Sequence, residues 1–220
     1  VAIHSGPVTF LLQRYGTEEQ KDRYLPGLAS GDLLGAFALS EEKAGSDARA
    51  LETTWKSQGG GRLLTGKKKW VTNGGSAGLI ILFARSESED RVSAFLLDPE
   101  LHDYAVGKRE ITMGLAASET VELVLEGTLL GEDALLGEEG EGFAYAMEAM
   151  DVGRLGIAAQ ATGIARAAYE HAAAYARERV QFGKRLADFQ VTRFKLADML
   201  ARITGARGLT FAAAEMMEGG

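Results

Sequence analysis

Hydrophobic positions divide the 220-residue chain into three textures. Residues 1 to about 30 space their apolar side chains at helical intervals. Within them Thr17-Glu18-Glu19-Gln20 reads as a capping box, Thr bonding forward and Gln bonding back, with acids in the first turn. Pro26-Gly27 is expected to end or bend that helix. From Leu33 to about Leu136 apolar residues gather in short runs separated by Gly, Asn and Asp. The strand candidates are Leu33–Leu39, Leu51–Trp55, Arg62–Val71, Leu79–Ala84, Val92–Leu97, Ala105–Ile111 and Val121–Leu125. Runs recurring at roughly ten-residue spacing predict an antiparallel barrel or sandwich. Gly59-Gly60-Gly61 is a hairpin-turn candidate.

From Gly142 the period turns helical again. Phe143, Met147, Met150 and Leu155 open a pattern that runs to about Arg177 and is rich in Ala. Gly153, Gly156 and Gly163 each weaken an isolated helix by about 1 kcal/mol relative to Ala, so they read as contact points for another helix or a ligand. After Arg179-Val180-Gln181-Phe182-Gly183-Lys184, a second helix is expected near Asp188, with Phe189, Leu196, Leu200 and Ile203 as its buried stripe. The class is α+β.

Composition narrows the function classes more than it names one. A net charge of −7 argues against non-specific binding to nucleic acid or an anionic membrane. With no Cys there is no disulfide framework and no thiol nucleophile, and His4, His102 and His171 are too scattered for a metal site. The longest apolar run, Ala77 to Ala84, is far short of a bilayer span, and no signal-peptide pattern is visible. A soluble cytoplasmic protein is expected. Val1 begins in mid-pattern and Glu215-Met216-Met217-Glu218-Gly219-Gly220 stops within a helical run, so the chain reads as a fragment.

Two stretches carry candidate chemistry. The run Ala38-Leu39-Ser40-Glu41-Glu42-Lys43-Ala44-Gly45-Ser46-Asp47 brings hydroxyls, acids and a glycine together just beyond an apolar strand. Such a loop offers N–H and O–H donors to a ligand lying across the strand end. The second, Thr65-Gly66-Lys67-Lys68-Lys69-Trp70-Val71-Thr72-Asn73-Gly74, places Trp70 and Thr72 on one face of a strand. An indole beside a hydroxyl suits a flat heteroaromatic ring. Lys67-Lys68-Lys69 is expected to be mostly solvated. Gly61-x4-Gly66-Lys67 mimics a phosphate-binding loop, but Lys68 stands where Ser or Thr would hold Mg²⁺ and no helix follows.

Together these stretches resemble the acyl-CoA dehydrogenase family, and the resemblance runs the length of the chain. It implies the end of an N-terminal helical domain (1–32), a middle β domain (33–138) and the first antiparallel helices of an incomplete four-helix bundle (139–220). It implies FAD, with Phe37, Leu39 and Ser40 along one side of the isoalloxazine and Trp70, Val71 and Thr72 along the other. It also implies that Arg179, Gln181, Phe182 and Gln190 reach the FAD of an adjacent subunit in a dimer-based assembly, a tetramer being expected. An Arg fork suits a pyrophosphate because it bonds two oxygens together. Ser46, Ser86, Asp151 and Arg154 would contact the acyl-CoA.

The implied reaction removes an α-proton to a carboxylate while the flavin accepts the β-hydride, giving a trans-2-enoyl-CoA, with electrons passing to an electron-transferring flavoprotein. A general base must lie within hydrogen-bond reach of its proton. In one branch of the family that Glu sits beside the Arg of Asp-x-x-Arg, where this chain has Val152 and Gly153. In most members it lies near the C-terminus, so the base is expected beyond Gly220, and no catalytic residue and no metal ligand is assigned here. An acyl-CoA oxidase using oxygen and a non-catalytic flavin- or acyl-CoA-binding homologue remain as alternatives. The segment Met150–Leu155 leans towards short-chain or branched substrates. Glu42-Lys43 departs from the Pro and small residue of many members.

Overall fold

The computed structural model describes residues 2–218. They form two compact units, one ending at Gly153 and one beginning at Arg154. In the first unit a π-helical turn, His4–Val8, leads into α1 (Thr9–Tyr15) and α2 (Glu18–Ser30). The capping box forms as the sequence requires: Gln20 N–H donates to Thr17 Oγ1 at 3.2 Å, and Thr17 N–H donates to Gln20 Oε1 at 3.0 Å. Pro26-Gly27 does not end the helix. Proline removes a single N–H, and α2 continues to Gly31, whose φ of 84° lets the chain turn back. There the N–H groups of Gly31 and Leu33 both donate to Gly27 O.

Eight strands follow: β1 (Gly35–Ala38), β2 (Thr54–Gln58), β3 (Gly61–Thr72), β4 (Leu79–Ser86), β5 (Val92–Leu97), β6 (Ala105–Arg109), β7 (Thr120–Gly131) and β8 (Leu135–Leu136). They make one sheet in the order β6-β7-β3-β2-β4-β5-β8, with β1 also on β4. The sheet is mixed rather than wholly antiparallel. β1 lies parallel to Leu79–Leu82 of β4, and Thr54 and Trp55 of β2 continue in parallel along Arg85 and Ser86. Alternation of apolar residues reports which face a side chain takes, not strand direction, so periodicity alone could not distinguish the two. The Gly59-Gly60 turn closes a two-residue hairpin between β2 and β3; both glycines have positive φ, as a turn matching the strand twist demands.

The sheet separates two apolar clusters. On one face Leu11, Leu12, Tyr24, Leu28, Ile81, Phe83, Leu96 and Ala146 join α1, α2 and the first turns of the long helix to β4 and β5. On the other face Leu64, Val71, Ile80, Leu82, Phe95, Leu97, Leu123 and Leu125 pack together. Strand β1 and the residue after it divide their side chains accordingly, Phe37 and Leu39 joining the helix-side cluster and Ala36 and Ala38 the other.

Helix α3 runs Gly142–Glu178, starting in the first unit and ending in the second. The second unit then forms a small hairpin, β9 (Val180–Gln181) and β10 (Lys184–Arg185), before α4 (Gln190–Glu218). The stripe expected on α4 is not buried: Phe189, Leu196 and Ile203 are half-buried and Leu200 is exposed. A helix needs a facing layer to bury such a stripe, and among the described residues none covers it.

Candidate functional site

The two stretches singled out by the sequence lie side by side. Lys69 N–H donates to Ser40 O at 2.9 Å, and Asn73 Nδ2 donates to Gly35 O at 3.1 Å, so the end of β3 runs back along β1 and the turn after it. Leu39 is buried, Phe37 and Ser40 are partly buried, and Phe37 stacks tilted on Phe83 at 5.0 Å.

A bulge in β3 decides which way its candidate ligand residues point. Inward positions run Leu64, Gly66, Lys68 in the expected alternation, and Trp70 and Thr72 would be next. Instead Lys68 pairs with Leu123 and Val71 with Val121, so three steps on β3 match two on β7. Bulges of this kind re-aim side chains. Val71 thereby enters the core at 1% exposure, while Trp70 stands half exposed and Thr72 partly so. Trp70 takes a φ of 58°, a conformation a bulky residue rarely adopts. Among the described residues, the hydroxyls of Ser40 and Thr72 and the Trp70 indole N–H make no hydrogen bond. An indole face flanked by two uncommitted hydroxyls, over an apolar strand end, is a donor set that fits a flat heteroaromatic ring with polar edges. Val71 contributes wall and backbone rather than an exposed side chain.

Lys68 is the residue that sequence reasoning misplaced. The lysine run was expected to be solvated, yet Lys68 is fully buried and its Nζ donates to Glu41 Oε1 at 2.6 Å and to Leu39 O at 3.1 Å. Glu41, also buried, accepts from the backbone N–H groups of Glu52 and Thr53. Burial pushes the Lys68 ammonium down to about 8, with Glu41 pulling it back up. Burial also raises the Glu41 carboxyl, but the Lys68 charge and the hydrogen bonds outweigh it and hold the group below the usual carboxylate range. The signal was present: Lys68 shares the parity of Leu64 on β3, and an acid lies in the loop that the strand meets. Its neighbours behave as expected of surface lysines, Lys67 lying near Glu122 and Lys69 near Glu42. Glu42-Lys43 keeps the loop closed through Lys69–Glu42 at 3.2 Å and Lys43–Glu52 at 3.0 Å.

Ser46 lies in the loop after β1, and Ser86 is the last residue of β4. Ser46 is exposed in the loop between Glu41 and Glu52, and Arg85 N–H donates to Thr53 O where that loop rejoins the sheet. Ser86 bonds Ser88 and lines an open cleft of about 510 Å³ with Thr54 and Arg85. Asp151 and Arg154 lie three residues apart on α3, both exposed and both engaged with partners.

In the second unit the predicted residues gather around the β9–β10 turn. Phe182 and Gly183 form it with φ values of 49° and 74°, the geometry of a mirror-image turn. Phe182 is 93% exposed and meets Phe189 edge-on at 6.5 Å. The Arg179 and Gln190 side chains are exposed beside it, and Gln181 bonds back to Val180 O. Among the described residues no group of acids and histidines could hold a metal ion, and no helix is long and apolar enough to cross a membrane.

Models of the acyl-CoA dehydrogenase N-terminal, middle and C-terminal domains match residues 1–32, 36–128 and 140–220. An acyl-CoA dehydrogenase of Bacillus subtilis (strain 168) is 47% identical over 219 residues, covering 98% of this chain and 58% of that protein. A short-chain specific acyl-CoA dehydrogenase of Clostridium acetobutylicum is 40% identical, covering 100% of this chain and 59% of that protein. Among solved structures, butyryl-CoA dehydrogenase from Megasphaera elsdenii aligns with a TM-score of 0.88 at 43% identity, covering 96% of this chain and 56% of that one. A chain from a study of the electron transferring flavoprotein of Acidaminococcus fermentans aligns at 0.90 and 42% identity over 96% and 57%. An acyl-CoA dehydrogenase complexed with FAD from Bacillus anthracis aligns at 0.88 and 35% identity over 96% and 36%. The present chain therefore spans a little over half the length of the curated relatives it matches. Its sequence, its mixed sheet between helical segments and its three matched domains make it a member of the acyl-CoA dehydrogenase family.

Proposed function

We propose that the protein containing this chain is an FAD-dependent dehydrogenase of short-chain acyl-CoA thioesters. The observation that carries the reading is the rim formed by Ser40, Trp70 and Thr72, brought together by the Lys69–Ser40 bond and turned outward by the β3 bulge. FAD would supply the hydride-accepting ring; Phe37, Leu39 and Ser40 would hold one side of it and Trp70, Val71 and Thr72 the other. The chain's own part is binding, orientation and exclusion of water. Ser40 and Thr72 present hydrogen bonds to the polar edge of the ring, and the Trp70 indole covers part of its face. Ser46 and Ser86, with Asp151 and Arg154, would position the thioester and its nucleotide arm. The proton-abstracting carboxylate lies outside these residues in this reading: Glu41 is buried on Lys68, and the exposed Glu42 is paired with Lys69.

The short-chain assignment is supported by the short-chain relatives, and transfer of electrons to an electron-transferring flavoprotein by the structural relative from that system. Arg179, Gln181, Phe182 and Gln190 would serve the FAD of a neighbouring subunit, which requires at least a dimer and fits a dimer of dimers; their common exposure supports this. The segments 1–32, 33–138 and 139–220 would be the three domains of that enzyme, working in the cytoplasm. The full-length protein should carry flavin absorbance that butyryl-CoA bleaches under anaerobic conditions. A colourless protein, or a flavin that no short-chain acyl-CoA bleaches, rejects the reading.

A further inference from the structure

Ser40 stands between two groups that a single buried cation grips. Lys68 Nζ donates to the carbonyl of Leu39, the residue before it, and to the carboxylate of Glu41, the residue after it. The same carboxylate accepts N–H groups from Glu52 and Thr53, where the loop carrying Ser46 returns to the sheet. Lys68 itself is the last inward residue of β3 before the bulge that turns Trp70 and Thr72 outward. Both halves of the rim are thus anchored on one ion pair.

We propose that the Lys68–Glu41 pair is a positioning device for the flavin rim, fixing where the Ser40 hydroxyl stands relative to Trp70 and Thr72. The inference rests on the flavin reading above. Stability alone is a poor reason for such a pair, since apolar residues of similar volume often serve a core as well or better than a buried salt bridge. What apolar residues cannot do is hold the carbonyl before Ser40 and, through the carboxylate after it, the two N–H groups where the loop returns to the sheet. The lowered pKa of Lys68 agrees, because its first cause is burial of the cation.

The test compares FAD affinity and the visible circular dichroism of bound flavin in the full-length wild type and three variants: Glu41→Gln, Lys68→Met and the double variant. The double variant leaves no unpaired charge buried. Exposed Lys67→Met is the control. Variants that retain far-UV dichroism are expected to bind FAD about tenfold more weakly or worse, the scale of losing a hydrogen bond to a charged group, and to alter the flavin's visible dichroism. The Lys67 variant should match wild type. Folded variants with wild-type affinity and an unchanged flavin spectrum would overturn the inference while leaving the flavin reading intact. Failure of all three variants to fold would also overturn it, because the pair would then be a determinant of the fold rather than of the rim. Wild type that binds no FAD would overturn both.

Discussion

Trp70 holds a backbone angle that an indole-bearing residue adopts only when its surroundings impose it, and it does so while half exposed. Strain of this kind, about 1–3 kcal/mol per residue, persists where function needs the geometry. Asn accepts the same angle at less cost. Trp70→Asn should therefore leave the apo-protein at least as stable as wild type, by relieving part of that strain of about 1–3 kcal/mol, yet bind FAD more weakly; urea melts and flavin titration check it. Glu41 makes a second prediction at this scale. Its carboxyl lies below its ordinary value of 4.5 in the folded state. A group so depressed lends stability that is complete above the unfolded value and disappears as pH falls through the folded one. The wild type should thus lose melting temperature as pH falls from 5 towards 3. The Lys68→Met and Glu41→Gln double variant, which has nothing to titrate there, should show a flatter acid limb in scanning calorimetry. None of this was legible from charge alone: a triple lysine reads as solvent-facing until the parity of the strand and the acid opposite are considered together.

Elements whose formation is a local matter were the readable ones. The α2 cap depends on residues three apart, and it forms as the spacing demands. Gln20, however, also donates to the carbonyls of Asp133 and Leu135 at 2.7 and 2.8 Å, contacts more than a hundred residues away that no local pattern announces. Thr17→Ala should accordingly cost about 1 kcal/mol, the usual worth of a cap. Gln20→Ala should cost more, about 1–2 kcal/mol, by leaving two part-buried carbonyls without their donor as well. Chemical denaturation orders the two. The β9–β10 turn makes an opposite case. A positive-φ aromatic at its tip weakens the hairpin, and Phe182→Asn should relieve roughly 1 kcal/mol of that strain. In the full-length protein the same change should reduce FAD retention and subunit association, seen by size exclusion, if Phe182 serves a neighbouring subunit as proposed.

At the scale of the molecule, the sequence conveyed the succession of helix, sheet and helix but not how strands are ordered or directed. The parallel pairing of β1 and β2 with β4 depends on a loop, 39–53, that carries the chain onward without reversing it. Loops of that length have no signature of direction. The same loop bears Ser40 and Ser46, so the feature least visible in the pattern is the one that collects the candidate ligand contacts. Likewise the stripe on α4 was legible as apolar, while its exposure depends on what lies against it.

The irregular step between Lys68 and Val71 carries one more consequence. It works as a phase shifter: a strand without the extra residue would turn its aliphatic side outward and bury the indole and the hydroxyl. Removing one residue there is expected to turn the indole and the hydroxyl inward and, on the flavin reading proposed above, to abolish ring binding with them.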